Sequence, residues 1–449
     1  MPKVLASQYV ARSSHSYAEI RYYSISARYW GASFQLWAMA CWYWQKGCNL
    51  TRPLNILHIV ANLASGGVQR HLVQALAEFE HAHFNHYVCC VTAGGVYEQQ
   101  LQALDIPYRI MTRRARFDPT AISQIATLMR EWRIDVVHTR NFTANAWGRI
   151  AAKLSGVKRI IAHERGTAWT ENTLMRWVDR RLYGFTDILL ANSLAAQLVL
   201  TQHVRVPSKR IRVVHNGVPL PSTTQQHTGC LRTTLSLDVD TPLIGTVGRL
   251  DTPKGLPFLV KTIPLVLQQR PEAHFVIIGD GPLRPYLTET LADYDHVHLL
   301  GFRADAPDLM QDFDLLLHPA IRESLGNVLI EAGLAGIPAV ATTVDGIPEV
   351  ILDGDTGLLV PGTKTVDFIP AAGASPLPAF IVDGVTGQLR PPRGPAPEHL
   401  ATAVVTLLDD PERRIEMGLQ AQQRMRAHFT LARYVQEVSA FYLETPEKN

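Results

Sequence analysis

Short apolar runs alternate with amphipathic segments along most of the chain, beginning near Leu54. The amphipathic segments Gln69–Phe79 and Ala121–Trp132 carry apolar residues at helical spacing. The first series of apolar runs is Ile56–Ala61, Tyr87–Thr92, Val136–His138, Arg159–Ala162, Ile188–Ala191 and Ile211–His215. Buried strands that alternate with helices predict βαβ units and a parallel sheet.

A polar segment, Pro219–Gly229, interrupts this alternation, which then starts again. The second series of apolar runs is Leu243–Val247, Phe275–Ile278, His296–Leu300, Leu315–His318 and Ala339–Thr342. The predicted fold class is therefore α/β, with two facing Rossmann-like parallel-sheet domains over 54–222 and 230–430. Residues 431–449 are predicted to form a C-terminal helix, and whether it crosses back to the N-terminal domain is left open. Because ligands bind beyond the carboxyl ends of parallel strands, we expect the ligand site in an interdomain cleft.

The first 52 residues do not follow the alternation. Tyr29–Trp44 is apolar and rich in tryptophan and tyrosine, but it is shorter than the roughly 20 residues that a membrane-spanning helix needs. These aromatic residues favour the water–lipid interface. The alternatives are a disordered or spurious extension, an interfacial segment and a true anchor, and the segment lacks a clear signal-peptide cleavage pattern.

One segment occurs twice. Ile347–Pro361 (IPEVILDGDTGLLVP) and Leu377–Pro391 (LPAFIVDGVTGQLRP) share the same residue at more than half of their positions, with a proline-, glycine- and alanine-rich stretch between them. Two copies are too few for a solenoid, so we interpret the second as a local insertion. We expect the first copy to be integrated in the fold, because it directly continues Gly346, and the second to loop out.

Composition indicates a packed globular protein with an uneven charge. Of 449 residues, 47% are hydrophobic and 18% are charged, which suits two domains. The net charge of +3 conceals a basic half over 54–222 and an acidic half over 230–449. The basic half suits an anionic partner, such as a membrane surface, a phospholipid-linked acceptor or an acidic glycan. The alternative is scattered solvated charge, and no nucleic-acid-binding motif is found.

Cysteine and histidine positions favour neither disulfides nor a metal site. None of the five cysteines forms a CxxC pair, which favours a reducing compartment. His81, His83 and His86 lie close together in sequence, but no further ligands accompany them, so no metal is predicted there.

Two glycine-containing turns follow predicted strands and open predicted helices. The first, Leu63–Gln69 (LASGGVQ), offers backbone amides to an anion, although a plain tight turn explains it equally well. The second, Gly248–Gly255 (GRLDTPKG), adds Arg249 and Lys254. A guanidinium and an ammonium together suit a diphosphate leaving group, and the alternative is surface charge at a helix start.

Two carboxylates flank the start of a third predicted helix, in Glu323–Glu331 (ESLGNVLIE). A carboxylate accepts hydrogen bonds from two hydroxyl groups at once, which sugar and ribose rings offer. The amides at the helix start are suited to phosphate. Because carboxylates at this spacing also occur by chance, the pattern alone is only suggestive.

With these motifs in this order, the chain resembles glycosyltransferase family 4, the retaining transferases of the GT-B fold. The resemblance extends from about Leu54 to the C-terminal helix. It runs through ILHIVANLASGGVQRHL, HTRNFTANAWGRIAAKLSG, ANS, VVHNGV, GTVGRLDTPKG, FVIIGDGP, LLGFRAD, HPAIRESLGNVLIEAGLAGIPAVATT and LLDDPERRIEMG. The N-terminal extension and the duplicated segment lie outside it.

The resemblance implies a role for individual residues. Glu323 is expected to bind hydroxyl groups of the donor sugar, Glu331 the ribose, and Arg249 with Lys254 the diphosphate. The further donor-binding residues that it implies are Gly67, Phe302, Arg303, Ser324, Leu325, Gly326 and Asn327. His163 matches the position of the family's active-site histidine, and a hydrogen-bonded histidine at a strand end is the alternative.

The chain also departs from the family pattern. Ser324 replaces the usual glycine after the first glutamate, which puts a strained turn there in doubt. Val344-Asp345-Gly346 replaces the commoner paired glycines.

The predicted reaction transfers a hexosyl group from a nucleoside diphosphate sugar to an acceptor hydroxyl, in glycan, polysaccharide or glycolipid synthesis. Retention of anomeric configuration comes from the resemblance alone. No metal and no cofactor beyond the co-substrate are expected, because fixed cations and amides offset the charge of the leaving group. The acceptor is expected to be a glycan, a lipid-linked molecule or a small molecule, and the location cytoplasmic or peripheral on the inner face of the cell membrane. The alternatives are a nucleotide-sugar epimerase of the same fold and a catalytically inactive sugar-nucleotide-binding scaffold.

Overall fold

The computed structural model describes residues 52–64, 66–111, 118–221 and 230–444, and within them the chain forms two α/β domains. The N-terminal domain is built on a seven-stranded parallel sheet with the order β3-β2-β1-β4-β5-β6-β7. Its strands are β1 (Leu54–Val60), β2 (Phe84–Cys90), β3 (Tyr108–Ile110), β4 (Val136–Arg140), β5 (Arg159–Glu164), β6 (Ile188–Ala191) and β7 (Ile211–Val213).

Helices pack on both faces of this sheet. They are α1 (Gly67–Glu78), α2 (Glu98–Ala103), α3 (Pro119–Glu131), α4 (Asn141–Ser155), α5 (Thr173–Leu182) and α6 (Leu194–Gln202). Successive side chains of a strand point to opposite faces. Ile56 of β1 accordingly packs in the cluster that includes α1, whereas Leu57 packs in the cluster that includes α3 and α4.

The C-terminal domain repeats the arrangement with a six-stranded parallel sheet in the order β10-β9-β8-β11-β12-β13. Its strands, with four short strands that follow them, are β8 (Leu243–Val247), β9 (His274–Ile278), β10 (Val297–Gly301), β11 (Leu315–His318), β12 (Ala339–Thr342), β13 (Gly357–Val360), β14 (Gly362–Thr365), β15 (Ile381–Val382), β16 (Leu389–Arg390) and β17 (Arg393–Pro395). Its helices are α7 (Cys230–Thr234), α8 (Leu256–Leu267), α9 (Arg284–Thr290), α10 (Ala306–Leu309), α11 (Asn327–Leu334), α12 (Ile347–Val350), α13 (Pro397–Asp409) and α14 (Pro411–His428). The predicted fold class, two Rossmann-like parallel-sheet domains, is confirmed.

The last helix, α15 (Leu431–Leu443), returns to the N-terminal domain. Its residues Tyr434, Val438 and Phe441 are buried in the same cluster as Ile56 of β1. The Tyr442 hydroxyl lies 2.6 Å from Nδ1 of His138 in β4. The C-terminal helix therefore ties the two domains together.

Both copies of the duplicated segment are packed. The first forms α12 and the edge strand β13, as predicted. The second does not loop out, contrary to prediction: it forms the hairpin β15–β16, and Val382 packs against Ala195 and Val199 of α6. Because β13 already pairs with β12 at the sheet edge, the strands of the second copy pair with each other.

The predictions for residues 1–51, including Tyr29–Trp44, lie outside the described residues, as does 222–229 of the interrupting segment. Among the helices that the structure describes, none has the length and hydrophobicity to span a membrane.

Candidate active site

The turn after β8 and the turn before α11 meet at the carboxyl ends of the C-terminal strands. The ammonium of Lys254 forms an ion pair with the carboxylate of Glu323, and Nε2 of His318 lies 3.3 Å from the same carboxylate. Burial opposes ionisation of Glu323, but Lys254 and His318 outweigh it and lower the pKa of Glu323 to about 2. The two residues that the sequence placed in separate motifs thus form one charged pair.

Glycine shapes the first of these turns. Gly255 has φ +65°, and a Cβ there would lie 1.9 Å from the carbonyl oxygen of Pro319. A residue with a side chain would therefore push the turn away from β11. A water-sized cavity of about 10 Å³ lies beside this turn. Its lining includes Gly248, Arg249, Lys254 and His318.

Arg249 is held by Asp251 of its own motif and by Ser375 from outside it, to whose hydroxyl Nη2 of Arg249 donates (3.2 Å). Its side chain is 66% exposed and forms an ion pair with Asp251. Asp251 also accepts hydrogen bonds from the amide (2.7 Å) and the hydroxyl (2.6 Å) of Ser375, which lies between the two copies of the duplicated segment. Burial opposes ionisation of Asp251, but the bonds from Ser375, with the Thr252 amide and Arg249, outweigh it and lower the pKa of Asp251.

The start of α11 faces the N-terminal domain. Gly326 precedes it with φ +95°, whereas Ser324 is not among the residues with positive φ. The serine therefore does not occupy the strained position of the turn. Its hydroxyl donates to Oδ1 of Asn192 (2.7 Å), and Asn327 accepts a hydrogen bond from Asn216 (2.7 Å). Leu325 buries its side chain in the C-terminal core.

Glu331 is paired across the cleft. Nη1 of Arg70, in α1, lies 3.1 Å from its carboxylate. Burial raises the pKa of Glu331, and Arg70 acts in the opposite direction. Gly67 begins the same helix α1, and a Cβ there would meet no atom within 4 Å. Gly67 thus borders open space at the start of the helix whose Arg70 contacts Glu331.

Three predicted site residues lie apart from the Lys254–Glu323 pair. Phe302 is 62% exposed and Arg303 pairs with Asp305, just after the sheet's edge strand β10. His163 is fully buried in β5, with Nδ1 3.3 Å from Nε2 of His138. Burial, with Arg165 and Arg140, lowers the pKa of His163 well below its usual value. Its described contacts are with the N-terminal sheet and α15, which fits a buried histidine at a strand end.

Sequence reasoning missed several residues that join the domains. The Glu349 carboxylate accepts from the amides of Leu194 (2.7 Å) and Ala195 (3.0 Å) at the start of α6, and from Nε2 of His215 (2.8 Å). Arg322 forms an ion pair with Glu171 of the N-terminal domain. Glu349 lies in the first copy of the duplicated segment, outside the motifs that carried the resemblance. Its partner Leu194 lies 155 residues away in the chain, and no local pattern identifies such a pair.

Comparison with protein-family models shows two matches that follow each other along the chain. Residues 65–221 match the model described as Glycosyltransferase Family 4. Residues 241–375 match the model described as Glycosyl transferases group 1. The two matches correspond to the N-terminal and the C-terminal domain.

Curated relatives are similar over most of their length. D-inositol 3-phosphate glycosyltransferase of Corynebacterium efficiens is 27% identical, over 87% of this chain and 81% of the relative. UDP-Gal:alpha-D-GlcNAc-diphosphoundecaprenol alpha-1,3-galactosyltransferase of Escherichia coli is 24% identical, over 71% of this chain and 87% of the relative.

Solved structures share the fold. Alr3699/HepE of Anabaena in complex with UDP-glucose superposes with a TM-score of 0.70 at 21% identity, covering 86% of this chain and 98% of the other. WaaG, a glycosyltransferase involved in lipopolysaccharide biosynthesis, superposes with a TM-score of 0.62 at 16% identity, covering 86% and 98%.

Proposed function

Because the chain belongs to glycosyltransferase family 4 and has the GT-B fold, we propose that it transfers a hexosyl group from a nucleoside diphosphate sugar to an acceptor hydroxyl, with retention. The contact between Lys254 and Glu323 carries the proposal, since it unites the cationic turn and the carboxylate motif. Glu323 binds hydroxyl groups of the donor sugar, and Lys254 lies beside it to offset the charge of the departing diphosphate. Relatives that bind UDP-glucose or are named for UDP-galactose support a nucleotide sugar as donor.

The remaining donor contacts follow the same geometry. Arg249 adds a second cation at the diphosphate, together with amides of Ser324, Leu325, Gly326 and Asn327 at the start of α11. Glu331 binds the ribose, so the Arg70–Glu331 contact rearranges when donor enters. These fixed cations and amides act in place of a metal ion, and a transferase without a metal requirement is part of the proposal.

Phe302, Arg303 and Gly67 complete the proposed donor site. Phe302 offers an exposed ring on which a base can stack, beside Arg303. Gly67 leaves space at the reacting centre. His163 is proposed to act indirectly, through its buried contacts with neighbouring residues, rather than as an exposed acid or base.

Two other functions predict different products. An epimerase would convert the nucleotide sugar without an acceptor, and an inactive scaffold would bind it without turnover. The acceptor-dependent release of nucleoside diphosphate separates all three. A panel of UDP- and GDP-sugars, screened by thermal shift, identifies the donor, since ligand at 100 times its dissociation constant stabilises by about 2.7 kcal/mol.

The variant that tests the site is Glu323→Gln, with Glu289→Gln on the exposed side of α9 as the matched control. Glu323→Gln removes the charge that pairs with Lys254 and is expected to lower kcat/KM about 100-fold or more. The control is expected to match the unaltered protein. Equal turnover of Glu323→Gln and the unaltered protein would remove the basis of the site assignment.

We propose in addition that α5 contacts an anionic membrane surface. Leu174, Trp177 and Phe185 are exposed large apolar residues, and the Arg181 guanidinium lies 5.2 Å from the Trp177 ring centroid. Arg180 is exposed beside them. Apolar side chains next to arginines match the boundary between anionic headgroups and acyl chains.

Co-sedimentation with vesicles of phosphatidylserine and phosphatidylcholine tests this surface. The unaltered protein is expected to bind, and to be released by salt, whereas Trp177→Ala with Arg181→Gln is expected to stay in solution. The double variant Val239→Ala with Arg413→Gln, at exposed positions of the other domain, is the control. Equal sedimentation with pure phosphatidylcholine would contradict the electrostatic part of the proposal.

A further inference from the structure

The backbone of Glu323 is held by the loop between β12 and α12, which contains Asp345. This loop is where the chain departs from the paired glycines of the family pattern. Oδ2 of Asp345 accepts a hydrogen bond from the amide of Glu323 (3.0 Å), and the amide of Gly346 donates to the carbonyl of Glu323 (3.1 Å). Because both backbone polar groups of Glu323 are bonded to this loop, the loop determines where the Glu323 side chain begins.

Asp345 also holds the hairpin β15–β16, which the second copy of the repeat forms. Oδ1 of Asp345 accepts a hydrogen bond from the amide of Val382 (2.8 Å), and the amide of Asp345 donates to the carbonyl of Val382 (2.9 Å). The Val382 side chain packs against Ala195 and Val199 of α6. A single carboxylate therefore joins the backbone of Glu323 to a hairpin that rests on the N-terminal domain.

Asp345 occupies this position at a cost. Its φ of +45° lies in the left-handed region that favours glycine, and the residue is only 7% exposed. Burial raises the pKa of Asp345 to about 6, with a contribution from the charge of Glu323, although the amides of Val382 and Glu323 and the charge of Arg322 act in the opposite direction. Backbone strain combined with a buried carboxylate is typical of a functional constraint that the surrounding fold sustains.

Gly346 lets the loop contact the turn that carries Glu323. A Cβ at Gly346 would lie 2.1 Å from the carbonyl oxygen of Ser324, so a side chain there would push the two turns apart. Its φ of −84° is open to any residue, and the glycine is therefore required by space rather than by conformation. The close contact fixes the distance between the Asp345 loop and the Glu323 turn.

Arg322, directly before Glu323, makes a second connection to the same part of the chain. Its Nη2 donates a hydrogen bond to the carbonyl of Phe380 (2.6 Å), and its guanidinium carbon lies 5.7 Å from the centroid of the Phe380 ring. Arg322 also forms an ion pair with Glu171 of the N-terminal domain. Two consecutive residues of the turn, Arg322 and Glu323, are thus tied to the second copy of the repeat.

We propose that Asp345 is a positioning residue for the donor sugar, which fixes the backbone of Glu323 to the hairpin β15–β16 so that the Glu323 carboxylate meets the sugar hydroxyl groups. The assignment rests on the proposed transferase function. Both carboxylate oxygens of Asp345 bind backbone amides, so Asp345 acts through Glu323 and does not bind the sugar itself. Hydrogen bonds weaken steeply as their geometry departs from the optimum, so a displaced Glu323 loses the sugar, while Arg249 and Lys254 still bind the diphosphate.

Asp345→Asn and Asp345→Gly test this role at about pH 7.5, where the carboxylate of the unaltered protein is ionised. The asparagine has the same shape but turns an N–H group toward one of the two amides. The glycine removes both bonds and relieves the strain at φ +45°, which covers the case in which the asparagine variant does not fold. Asp293→Asn, at an exposed position after α9, is the matched control.

Calorimetry compares the binding of a nucleotide sugar with that of its nucleoside diphosphate. The probes are UDP-glucose and UDP, or the pair that the thermal-shift panel selects. In both Asp345 variants, the dissociation constant of the nucleotide sugar is expected to increase about tenfold and kcat to fall about tenfold to 100-fold, whereas the dissociation constant of the nucleoside diphosphate changes less than about twofold. A purely structural role would change both dissociation constants by the same factor. The control is expected to match the unaltered protein in all three quantities.

Hydrogen exchange in the ligand-free protein shows whether the contact has been released. Peptides that contain the amides of Glu323 and Val382 are expected to exchange faster in both Asp345 variants, but not in the control. Unchanged exchange overturns the positioning role, and so does faster exchange with equal factors for nucleotide sugar and nucleoside diphosphate. If no nucleotide sugar binds to the unaltered protein, the transferase proposal fails and the positioning role fails with it. If the nucleotide sugar binds equally well to the unaltered protein and to the variants, the positioning role alone is overturned.

Discussion

Lys254 and Glu323 are separated by 69 positions in the chain, yet they form one ion pair in a largely buried setting. Lys254 stabilises the charged form of Glu323, and His318 adds a hydrogen bond to the carboxylate. Replacing Lys254 by Met would leave the Glu323 carboxylate without its main counter-charge. Breaking a buried pair from one side is destabilising, by about 3–5 kcal/mol in fully buried cases and by less here.

The expected result for Lys254→Met is therefore a loss in both stability and turnover, the latter about 100-fold. The pH dependence gives a sharper test. Because Lys254 lowers the pKa of Glu323, the pKa is expected to rise in the variant, and residual activity is expected to fall with acid at a higher pH than in the unaltered protein. Residual activity of Lys254→Met with an unchanged acid limb would contradict the assigned pairing. Lys261→Met, in the helix that follows, is the control.

Buried histidines make a second prediction at this scale. His86 packs against Phe79 and His58, and burial, with His81 and Arg140, lowers its pKa to about 3. In the unfolded chain it takes up a proton near pH 6.5, so its contribution is complete above that pH and is lost as the pH falls toward 3. The loss from His86 alone is about 2 kcal/mol at pH 5.

Urea unfolding at pH 7 and pH 5 checks this expectation. His86→Gln is expected to show a smaller loss between the two pH values than the unaltered protein, whereas His399→Gln, on the exposed side of α13, is expected to show the same loss. A pH dependence that is identical in all three proteins would show that His86 is not buried as a neutral side chain.

At the scale of elements, local patterns were sufficient for the alternation of strands and helices but not for the second copy of the repeat. The copies share the DGxTG turn, and the first pairs with the free edge of β12. The first copy therefore occupies that edge, and it is not open to the second copy. The second copy also has the polar residues Gln388 and Arg390 at the positions where the first copy has Leu358 and Val360. Its placement depends on which surfaces remain open, and no pattern within the segment records that.

The stretch between the two copies of the repeat contacts the turn Gly248–Gly255 through Ser375. Ser375 donates its hydroxyl to Asp251, which in turn pairs with Arg249. Ser375→Ala removes the hydrogen bonds of the hydroxyl to two charged groups, Asp251 and Arg249, so we expect KM for the donor to increase about threefold to tenfold with little change in kcat. Ser375→Thr keeps the hydroxyl and is expected to restore KM. A change in thermal midpoint without a change in KM would indicate a purely structural contact.

At the scale of the whole molecule, some residues that were predicted to bind the donor also form contacts between the two domains. The ESLGNVLIE segment was predicted to meet a nucleotide sugar, and the structure also places Ser324, Asn327 and Glu331 against the N-terminal domain. Sequence spacing identifies residues that share a turn, because neighbours in sequence remain neighbours in the fold. It does not identify Arg70, Asn192 or Asn216, since their partners depend on how two separately folded domains dock.

Among the contacts between the two domains that the structure describes, the one made by Glu349 has the most hydrogen bonds. A variant at Glu349 therefore tests whether this contact holds the domains closed. Its carboxylate is nearly buried and accepts two amides at the positive end of the α6 dipole, together with His215. Glu349→Ala removes these bonds, each charge-assisted bond being typically 1.5–3 kcal/mol, so the equilibrium between closed and open domains is expected to shift about tenfold or more toward open. Small-angle scattering is expected to show a larger radius of gyration for Glu349→Ala than for the unaltered protein, and a smaller one again when a nucleoside diphosphate is added.

Glu412→Ala, exposed on α14, serves as the control, because it changes the same charge without touching the other domain. Equal radii for all three proteins would mean that α15 and the remaining contacts fix the domains by themselves, and that the Glu349 contact does not govern how the cleft opens to its substrates.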